Sequence, residues 1–192
     1  MKNKKMIKNI EIMEILKIFK VANSFRISVI VFLFISILNA SIVNDFINKK
    51  YEKICSFANI NKYYNDEKAL SIIGVSCVKS DKIYLLPYVI NKLKKTRYAR
   101  KNSIYFSIIL LQKKLLYSYM FDNISLESYS FPMTDYVLSV VFEAIKSNNF
   151  KKVEDKIIVK KGKKTYIIYK IDDKMYIDEF ENDKLIKKRW YR

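Results

Sequence analysis

An uncharged stretch from Ile27 to Val43 restricts the organisation of this chain more than any other feature. Its apolar part, Ile27 to Leu38, has the length and composition of the apolar region of a signal peptide or of a minimal membrane anchor. The leader before it, residues 1–26, carries seven basic and two acidic side chains, whereas the segment after it is nearly balanced. Because positive charge favours the cytoplasmic side, we expect the leader to stay inside and the part after residue 43 to cross the membrane.

Two outcomes are open for this stretch after export. Ala40 offers a cleavage site, although Leu38 stands where a second small residue would complete the usual pattern. Left uncleaved, residues 27–43 are at the short limit for a spanning helix. We therefore expect a bacterial envelope protein that is periplasmic or secreted after cleavage, or anchored in the inner membrane with its C-terminal part outside the cytoplasm. A buried helix of a cytosolic protein is the alternative to export.

Missing residue types exclude several kinds of chemistry. The chain has no histidine, which excludes Ser-His-Asp and Cys-His catalysis and histidine-ligated zinc. Two glycines are too few for a glycine-rich phosphate loop, and two cysteines cannot form a four-thiolate metal site. No cofactor or metal is therefore expected. No motif supports any remaining catalytic arrangement, so a binding role is favoured over an enzyme.

The net charge of +18 favours an anionic partner. Only five of the 37 basic residues are arginine. Since arginine is the residue that recognises phosphate with two parallel hydrogen bonds, the lysine surplus indicates nucleic acid less strongly than the net charge does. We expect a protein partner or an anionic envelope surface, with nucleic acid less favoured and with membrane contact through residues 27–43 if that stretch is uncleaved.

Residues 44–150 carry the apolar spacing of a bundle of about four to five helices. One helix is predicted across residues 44–58, and Asn65 and Asp66 offer a cap for a second. Pro87 marks the start or a kink of a third, and Pro132 is expected in the first turn of the last. The longest helix is predicted between them, from Ser103 to Phe121.

Each of three helices has a stripe of apolar residues that predicts its buried face. Gly74, which lies beside the first stripe, could allow a neighbouring element to approach closely. The stripes comprise Leu70, Ile73 and Cys77 in the second helix, Ile104, Ile108, Leu111 and Leu115 in the longest helix, and Val137, Val140, Val141 and Ala144 in the last helix.

Residues 151–192 change to the period of β-strands. Four short runs rich in β-branched and aromatic residues are separated by turn dipeptides, which predicts a hairpin meander. The runs are Ile157 to Lys160, Thr165 to Ile171, Met175 to Glu181 and Leu185 to Tyr191, and the dipeptides are Lys161-Gly162, Asp172-Asp173 and Asn182-Asp183. Alternation in the second run predicts that Ile167, Tyr169 and Ile171 face the helices. The fold class is therefore α+β, with a C-terminal antiparallel four-stranded meander packed on the helices, so that residues 44–192 form one domain.

Cys55 and Cys77 are the only thiols of the chain, and both follow the expected export segment. An oxidising compartment favours a disulfide between them. In a straight antiparallel hairpin, however, the predicted helices would offset them by roughly 10 Å along the axis, which is more than a disulfide tolerates. An earlier end to the first helix would remove this offset, and two buried free thiols are the alternative.

The densest basic cluster is the candidate anion-binding site. It could hold phosphate groups of a nucleic acid or of an envelope surface, with its tyrosine stacking on the ligand. A solvated connection at the end of a helix is the alternative, because lysines suit the helix dipole there. The cluster comprises Lys92, Lys94, Lys95, Arg97, Tyr98, Arg100 and Lys101.

Three hypotheses of function follow. The first is a non-enzymatic, exported envelope protein that binds a protein or an anionic surface. The second is a nucleic-acid-binding module that uses the cluster from Lys92 to Lys101. The third is a hydrolase that uses a pair of carboxylates or a Ser-Lys pair, and it would need two carboxylates gathered in one pocket.

Overall fold

A computed structural model describes residues 42–192. The apolar region from Ile27 to Leu38 and the candidate cleavage site at Ala40 lie outside the described residues. Two units divide the chain after Asn48. In the first, residues 42–47 are helical, and the Asn48 side chain donates a hydrogen bond to the carbonyl of Asn44. Across residues 42–192, no helix combines the length and the apolar character needed to cross a membrane.

The second unit, Lys49–Arg192, begins with helices. Its described α-helices are α1 (Tyr51–Ile54), α2 (Phe57–Lys62), α3 (Glu67–Lys79), α4 (Leu86–Ile90), α5 (Arg97–Asp122) and α6 (Val137–Lys146), with a 3₁₀ turn at Ile83–Leu85 before α4.

The prediction of a single helix across residues 44–58 is wrong, because the helical structure is interrupted at residues 48–50 and again at Cys55 and Ser56. The Ser56 side chain accepts a hydrogen bond from the amide of Asn59 and caps α2. The Asn59 side chain donates to the carbonyls of Lys53 and Ile54, which satisfies the last carbonyls of α1. A serine cap and an asparagine bridge therefore replace the helical hydrogen bonds at the break.

The early end of α1 explains how the two cysteines meet. Cys55 and Cys77 form a disulfide, with their Cα atoms 4.9 Å apart. Both residues are fully buried. Of the two alternatives, the bridge is confirmed, and the offset calculated for a straight hairpin does not arise because Cys55 follows the end of α1 and does not lie inside a helix.

Other helix boundaries confirm or correct the sequence prediction. The Asp66 carboxylate accepts hydrogen bonds from the amides of Lys68 and Ala69, as a cap of α3. Pro87 lies in the first turn of α4, as expected. The placement of Pro132 is wrong, because α6 begins only at Val137. The hydroxyl of Thr134 accepts from the amide of Tyr136 and therefore holds the residues before α6 in a separate turn.

The longest helix, α5, buries a different stripe from the predicted one. Ile104 is 62% exposed and Leu111 is 42% exposed. The buried face consists of Ala99, Phe106, Ile109, Gln112, Leu116 and Met120. The prediction assumed that every residue of the buried face would be apolar. The buried face includes Gln112, whose side-chain oxygen accepts a hydrogen bond of 2.6 Å from the hydroxyl of Ser139.

The apolar faces of α3 and α6 are confirmed, and α3 packs closely on α5. Leu70, Ile73 and Cys77 are fully buried. In the α6 stripe, Val137, Val141 and Ala144 are buried, whereas Val140 is only half-buried. Gly74 lies against the ring of Phe106, and a Cβ atom at position 74 would lie 2.4 Å from two ring carbons. The expected close approach at this glycine is therefore present.

The C-terminal part is an antiparallel meander of five strands in sequential order. The strands are β1 (Lys151–Val153), β2 (Lys156–Lys161), β3 (Lys164–Ile171), β4 (Lys174–Glu181) and β5 (Lys184–Tyr191). The α+β class with a C-terminal meander is confirmed, whereas the count of four strands is wrong. The additional strand, β1, is short and exposed, and Glu154 adopts the left-handed conformation needed to turn it back onto β2.

The predicted turns of the meander are confirmed by their backbone geometry. Gly162, Asp172, Asn182 and Asp183 all have positive φ values near 50–60°. These residue types tolerate the left-handed region better than others do. A bulge between Glu179 and Phe180 then shifts the pairing of β4 with β5 by one residue.

The predicted inward face of β3 is wrong. Tyr166 and Ile168 are 5% and 0% exposed, whereas Ile171 is 49% exposed. Both faces of this strand carry isoleucine and tyrosine. The pattern therefore predicts a β-strand but does not show which of its two faces is buried. Ile167, Tyr169 and Ile171 consequently lie on the side of the sheet away from the buried core, which we call the outer face.

Candidate binding surface

The predicted basic cluster occupies the connection between α4 and α5 and the first turns of α5. The backbone of this connection already holds an anion from the same chain. The Glu67 carboxylate accepts hydrogen bonds from the amides of Lys94, Lys95 and Thr96 at 2.6–2.9 Å, and from the Thr96 hydroxyl at 2.7 Å. The amide donors of the last three residues before α5 are therefore occupied.

These hydrogen bonds stabilise the charged form of Glu67. Burial alone would raise the pKa of the carboxyl group, but the donors from Lys95, Thr96 and Lys94 outweigh it and lower the pKa from 4.5 to about 2. Arg100 donates to the carbonyls of Lys94 and Lys95 and closes the same turn. This part of the cluster thus has a structural role.

The remaining members of the cluster form a charged surface. Lys94, Lys95, Arg97 and Lys101 are exposed, and Tyr98 is 40% exposed. Lys92 lies apart from them, with its ammonium 3.3 Å from the centre of the Tyr64 ring. The predicted site therefore consists of two parts. One is a turn whose amide donors are already bound by Glu67, and the other is a group of exposed cations.

A row of aromatic side chains on the outer face of the sheet was not predicted as a site. Tyr169 of β3 is paired with Tyr176 of β4, which is paired in turn with Trp190 of β5. The two tyrosine rings are stacked, with centroids 5.3 Å apart and planes 9° from parallel. Trp190 is 58% exposed. We call these three residues the aromatic row.

Lysine side chains lie over the aromatic row. The Lys188 ammonium is 5.6 Å from the Tyr169 centroid and 5.3 Å from the Tyr176 centroid. Lys156 lies 5.9 Å from the Tyr169 ring, and Lys174 lies 4.8 Å from the Trp190 ring. Such cation–π contacts hold an ammonium in place without neutralising it.

The charge of this surface is compensated only in part. Between residues 42 and 192, none of the three lysines is in an ion pair with a carboxylate. Asp178 of β4 lies opposite Lys188 of β5 in the strand register without forming an ion pair with it. The Asp178 carboxylate accepts a hydrogen bond from the Tyr169 hydroxyl at 3.0 Å. The Tyr169 hydroxyl and the Asp178 charge raise the pKa of Lys188, so this lysine stays charged at neutral pH.

The sequence indicates two of the three members of the aromatic row. Tyr169 and Tyr176 are equidistant from the Asp172-Asp173 turn, which places them opposite one another. The same argument from the Asn182-Asp183 turn would place Arg189 opposite Tyr176. The bulge in the β4–β5 pairing shifts the register and brings Trp190 there instead.

The inner face of the sheet carries a buried ionic network. Arg189 of β5 donates to the carboxylate of Asp81 at 2.9 Å and to that of Glu179 at 2.8 Å. Lys164 contacts Glu179 at 2.7 Å, and the Tyr136 hydroxyl donates to Asp81 at 2.9 Å. These contacts join the turn after α3 and the start of α6 to the sheet.

A cavity of about 270 Å³ borders this network and is lined by Asp81, Asp135 and Glu179 among others. Burial would raise the pKa of Glu179, but hydrogen bonds from Lys164 and Arg189 lower it overall. A general acid at neutral pH needs the opposite shift. Glu179 is therefore held in its charged form as an ion-pair partner of Lys164 and Arg189.

In the described range 42–192, no three histidine, cysteine, aspartate or glutamate side chains are grouped so that they could hold a metal ion. A ligand can reach both the exposed cations of the connection before α5 and the lysine-covered aromatic row. No protein family, no curated protein and no solved structure matches this chain.

Proposed function

We propose that this protein is a non-enzymatic binding protein of the bacterial envelope that holds an anionic surface or polymer on the outer face of its sheet. The proposal rests mainly on Lys156, Lys174 and Lys188, whose ammonium groups lie over the aromatic row. Within residues 42–192, no carboxylate forms an ion pair with any of them. Export rests on the leader and the apolar stretch of the sequence, and it is part of the proposal.

A binding role agrees with the chemistry of the two faces of the sheet. On the inner face, Arg189 forms ion pairs with Asp81 and Glu179, and these two carboxylates also contact Lys187 and Lys164, respectively. Carboxylates held in their charged form by ion pairs are poorly suited to act as general acids. On the outer face, exposed aromatic rings offer apolar contact and the ammonium groups offer positive charge. A flat surface of this kind suits an extended anionic partner better than it suits a small substrate.

The first experiment compares dextran sulfate with uncharged dextran as labelled probes for the full-length chain. We expect the sulfated polymer to bind, the neutral polymer not to bind, and the affinity to fall steeply as salt is raised. The triple variant Lys156→Gln, Lys174→Gln, Lys188→Gln should lose roughly 3 kcal/mol of binding free energy, which is about a hundredfold in affinity.

A matched control removes the same charge elsewhere. Lys62, Lys68 and Lys114 are exposed, and they lie on α2, α3 and α5. Their triple substitution by glutamine should change the affinity by less than about threefold. Equal losses in the two triple variants would show that total charge and not the outer face attracts the polymer, and the proposal would fail.

Export is tested by fractionation of a tagged chain and mass spectrometry of its mature amino terminus. A product that starts at Ser41 would establish cleavage after Ala40. A full-length membrane-bound product would establish the anchor. A full-length cytosolic product that starts at Met1 would refute export.

Nucleic acid binding through the cluster from Lys92 to Lys101 is the second candidate. The exposed positions of Lys94, Lys95, Arg97 and Lys101, with Tyr98 among them, favour it. Binding of a single-stranded oligonucleotide should then fall in the triple variant Lys94→Gln, Lys95→Gln, Arg97→Gln and should decline steeply with salt. Affinity that is insensitive to salt would exclude this candidate.

A further inference from the structure

Four exposed aromatic side chains lie on α2, on α4 and on the residues beside these helices. Phe57 and Tyr88 are 51% and 50% exposed, and their rings meet edge to face with centroids 5.2 Å apart. Tyr84 lies one helical turn before Tyr88, and Tyr64 follows the end of α2. Both are more than half exposed. We call these four residues the helical aromatic patch, and none of them belongs to the aromatic row of the sheet.

Lys92 connects the two parts of this patch. Its amide donates to the carbonyl of Val89, which continues the helical turn past the end of α4 and places Lys92 one turn after Tyr88. The Lys92 ammonium reaches the Tyr64 ring beside α2. The contacts of Phe57 with Tyr88 and of Lys92 with Tyr64 therefore hold the rings of α2 and α4 on one surface.

The patch continues into the most basic segment of the described residues. From Lys82 to Lys101 the sequence has seven basic side chains and no acidic one. Three carboxylates from α1 and the start of α3 compensate part of this charge. Glu52 pairs with Lys82, Asp66 caps α3, and Glu67 accepts hydrogen bonds from the connection before α5. Since seven cations face three carboxylates, a surplus of positive charge remains.

The surplus lies on side chains that a ligand can reach. Within residues 42–192, no carboxylate forms an ion pair with the exposed cations of this segment, which are Lys94, Lys95, Arg97, Arg100 and Lys101. Exposed aromatic rings therefore lie next to exposed positive charge.

This combination is typical of a surface that binds a lipid bilayer. Aromatic side chains favour the boundary between headgroups and acyl chains, and lysine and arginine are attracted to anionic headgroups. The order of the sequence agrees, because Phe57 follows Val43 by only fourteen residues. If residues 27–43 stay in the membrane, the chain keeps α2 close to it.

Nucleic acid fits the same rings less well. Base stacking needs free ring faces. Lys92 covers one face of Tyr64, and Phe57 and Tyr88 pack on each other edge to face. The rings thus offer apolar edges to a bilayer more readily than flat faces to a base.

We propose that the helical aromatic patch binds the surface of a lipid bilayer with anionic headgroups, and that Lys94, Lys95 and Arg97 contact the headgroup phosphates. The inference goes beyond the proposed function, because it concerns a different surface from the outer face of the sheet. It takes from that function only the delivery of the chain to a membrane. The experiment supplies the membrane directly and does not depend on export.

A single tryptophan in the patch reports contact with lipid. Trp190 is the only tryptophan of the chain, so Tyr88→Trp combined with Trp190→Phe leaves one reporter, at position 88. The full-length chain is reconstituted in vesicles of equal parts phosphatidylcholine and phosphatidylglycerol, with or without bromine on the upper acyl carbons of the phosphatidylcholine. We expect bromine to reduce the emission at least about threefold, because a ring at the headgroup boundary reaches these carbons.

The matched reporter is Val153→Trp, again combined with Trp190→Phe. Val153 lies on β1 and is 52% exposed, which is close to the exposure of Tyr88. Any anchoring through residues 27–43 is the same for both reporters. Bromine should reduce the emission from position 153 by less than about 1.2-fold.

A second comparison tests the role of charge. In the chain with the reporter at position 88, the triple variant Lys94→Gln, Lys95→Gln, Arg97→Gln should recover at least about half of the quenched emission. The control triple variant Lys160→Gln, Lys161→Gln, Lys163→Gln removes the same charge from exposed residues around the β2–β3 turn, and it should leave the quenching unchanged.

Four results would overturn the proposal. Equal quenching at positions 88 and 153 would indicate tethering without a preferred surface. Equal recovery in the two triple variants would indicate attraction by total charge. A blue shift of the emission from position 88 that grows with protein concentration in the absence of vesicles would indicate that a second copy covers the patch. Loss of oligonucleotide binding without loss of quenching in the first triple variant would assign the cations to nucleic acid.

Failure of this proposal and failure of the outer face give different results. The outer-face variant Lys156→Gln, Lys174→Gln, Lys188→Gln should keep the full quenching at position 88. The double variant Phe57→Ser, Tyr64→Ser changes exposed side chains of the patch only, so it should weaken the quenching and should bind dextran sulfate as the unmodified chain does.

Discussion

The Glu67 carboxylate bridges the start of α3 to the start of α5 by accepting hydrogen bonds from both the amide and the hydroxyl of Thr96. Glu67 belongs to the first turn of α3, and Thr96 is the N-cap of α5. One carboxylate therefore fixes the connection that carries the basic cluster. The same contacts stabilise the fold and hold the cations of that surface in place.

Replacing Glu67 by glutamine should destabilise the protein at neutral pH, because an amide nitrogen would then face backbone donors. The folded-state pKa of about 2 lies below the ordinary value of 4.5, so the stabilisation is present above pH 4.5 and is lost as the pH falls toward 2. Urea unfolding of both proteins from pH 7 to pH 2.5 measures this. A stability difference that did not shrink with acidification would contradict the assignment.

Removing the disulfide should cost about 3 kcal/mol of unfolding free energy, as expected for the loop that joins Cys55 to Cys77. The double variant Cys55→Ala, Cys77→Ala compared with the unmodified protein in denaturant measures this loss. Since both sulfur atoms are buried, reductant should act on the native protein only slowly. Rapid labelling of native thiols after mild reduction would contradict this geometry.

Gly74→Ala should destabilise the protein by about 1–3 kcal/mol, because the new Cβ would overlap the ring of Phe106. Phe106 is fully buried and cannot move aside easily. Phe106→Leu should relieve part of this overlap, so the double variant should lose less than the sum of the two single losses. Strictly additive losses would show that the two residues do not compete for the same space.

Arg189→Met should cost roughly 3 kcal/mol, because Asp81 and Glu179 would each lose a buried charged partner. Lys79→Met, which removes an exposed ion pair with Asp135, is the control and should cost less than about 1 kcal/mol. Thermal unfolding at neutral pH measures both. Equal shifts in the two variants would contradict a stabilising role of the buried network.

Local chemistry explains the predictions that are confirmed. Asp66 caps α3 with its own side chain, Pro87 suits a first helical turn, and Gly162 adopts the backbone conformation of its turn. Each depends on a few neighbouring residues, so the sequence contains the whole cause. The placement of the strands between their turns has the same origin.

The predictions that are wrong depend on contacts between distant residues. The buried face of α5 includes Gln112 because Ser139, on another helix, donates a hydrogen bond to it. The inward direction of β3 depends on which side the helices cover. Neither contact leaves a periodic trace in the sequence, since apolar residues occur on both sides of each element.

The α+β class, the order of helices before strands, most of the turns and the possible pairing of the two cysteines could be predicted from residue types at short range. Packing between distant segments was needed to show that the Glu67 carboxylate accepts hydrogen bonds from the connection before α5 and that α1 ends where Cys55 can reach Cys77. It was also needed to show that a bulge brings Trp190 into line with the two tyrosines. The physical reason is that burial and register depend on the elements packed against a segment, and a one-residue shift in pairing reverses which side chains reach the surface.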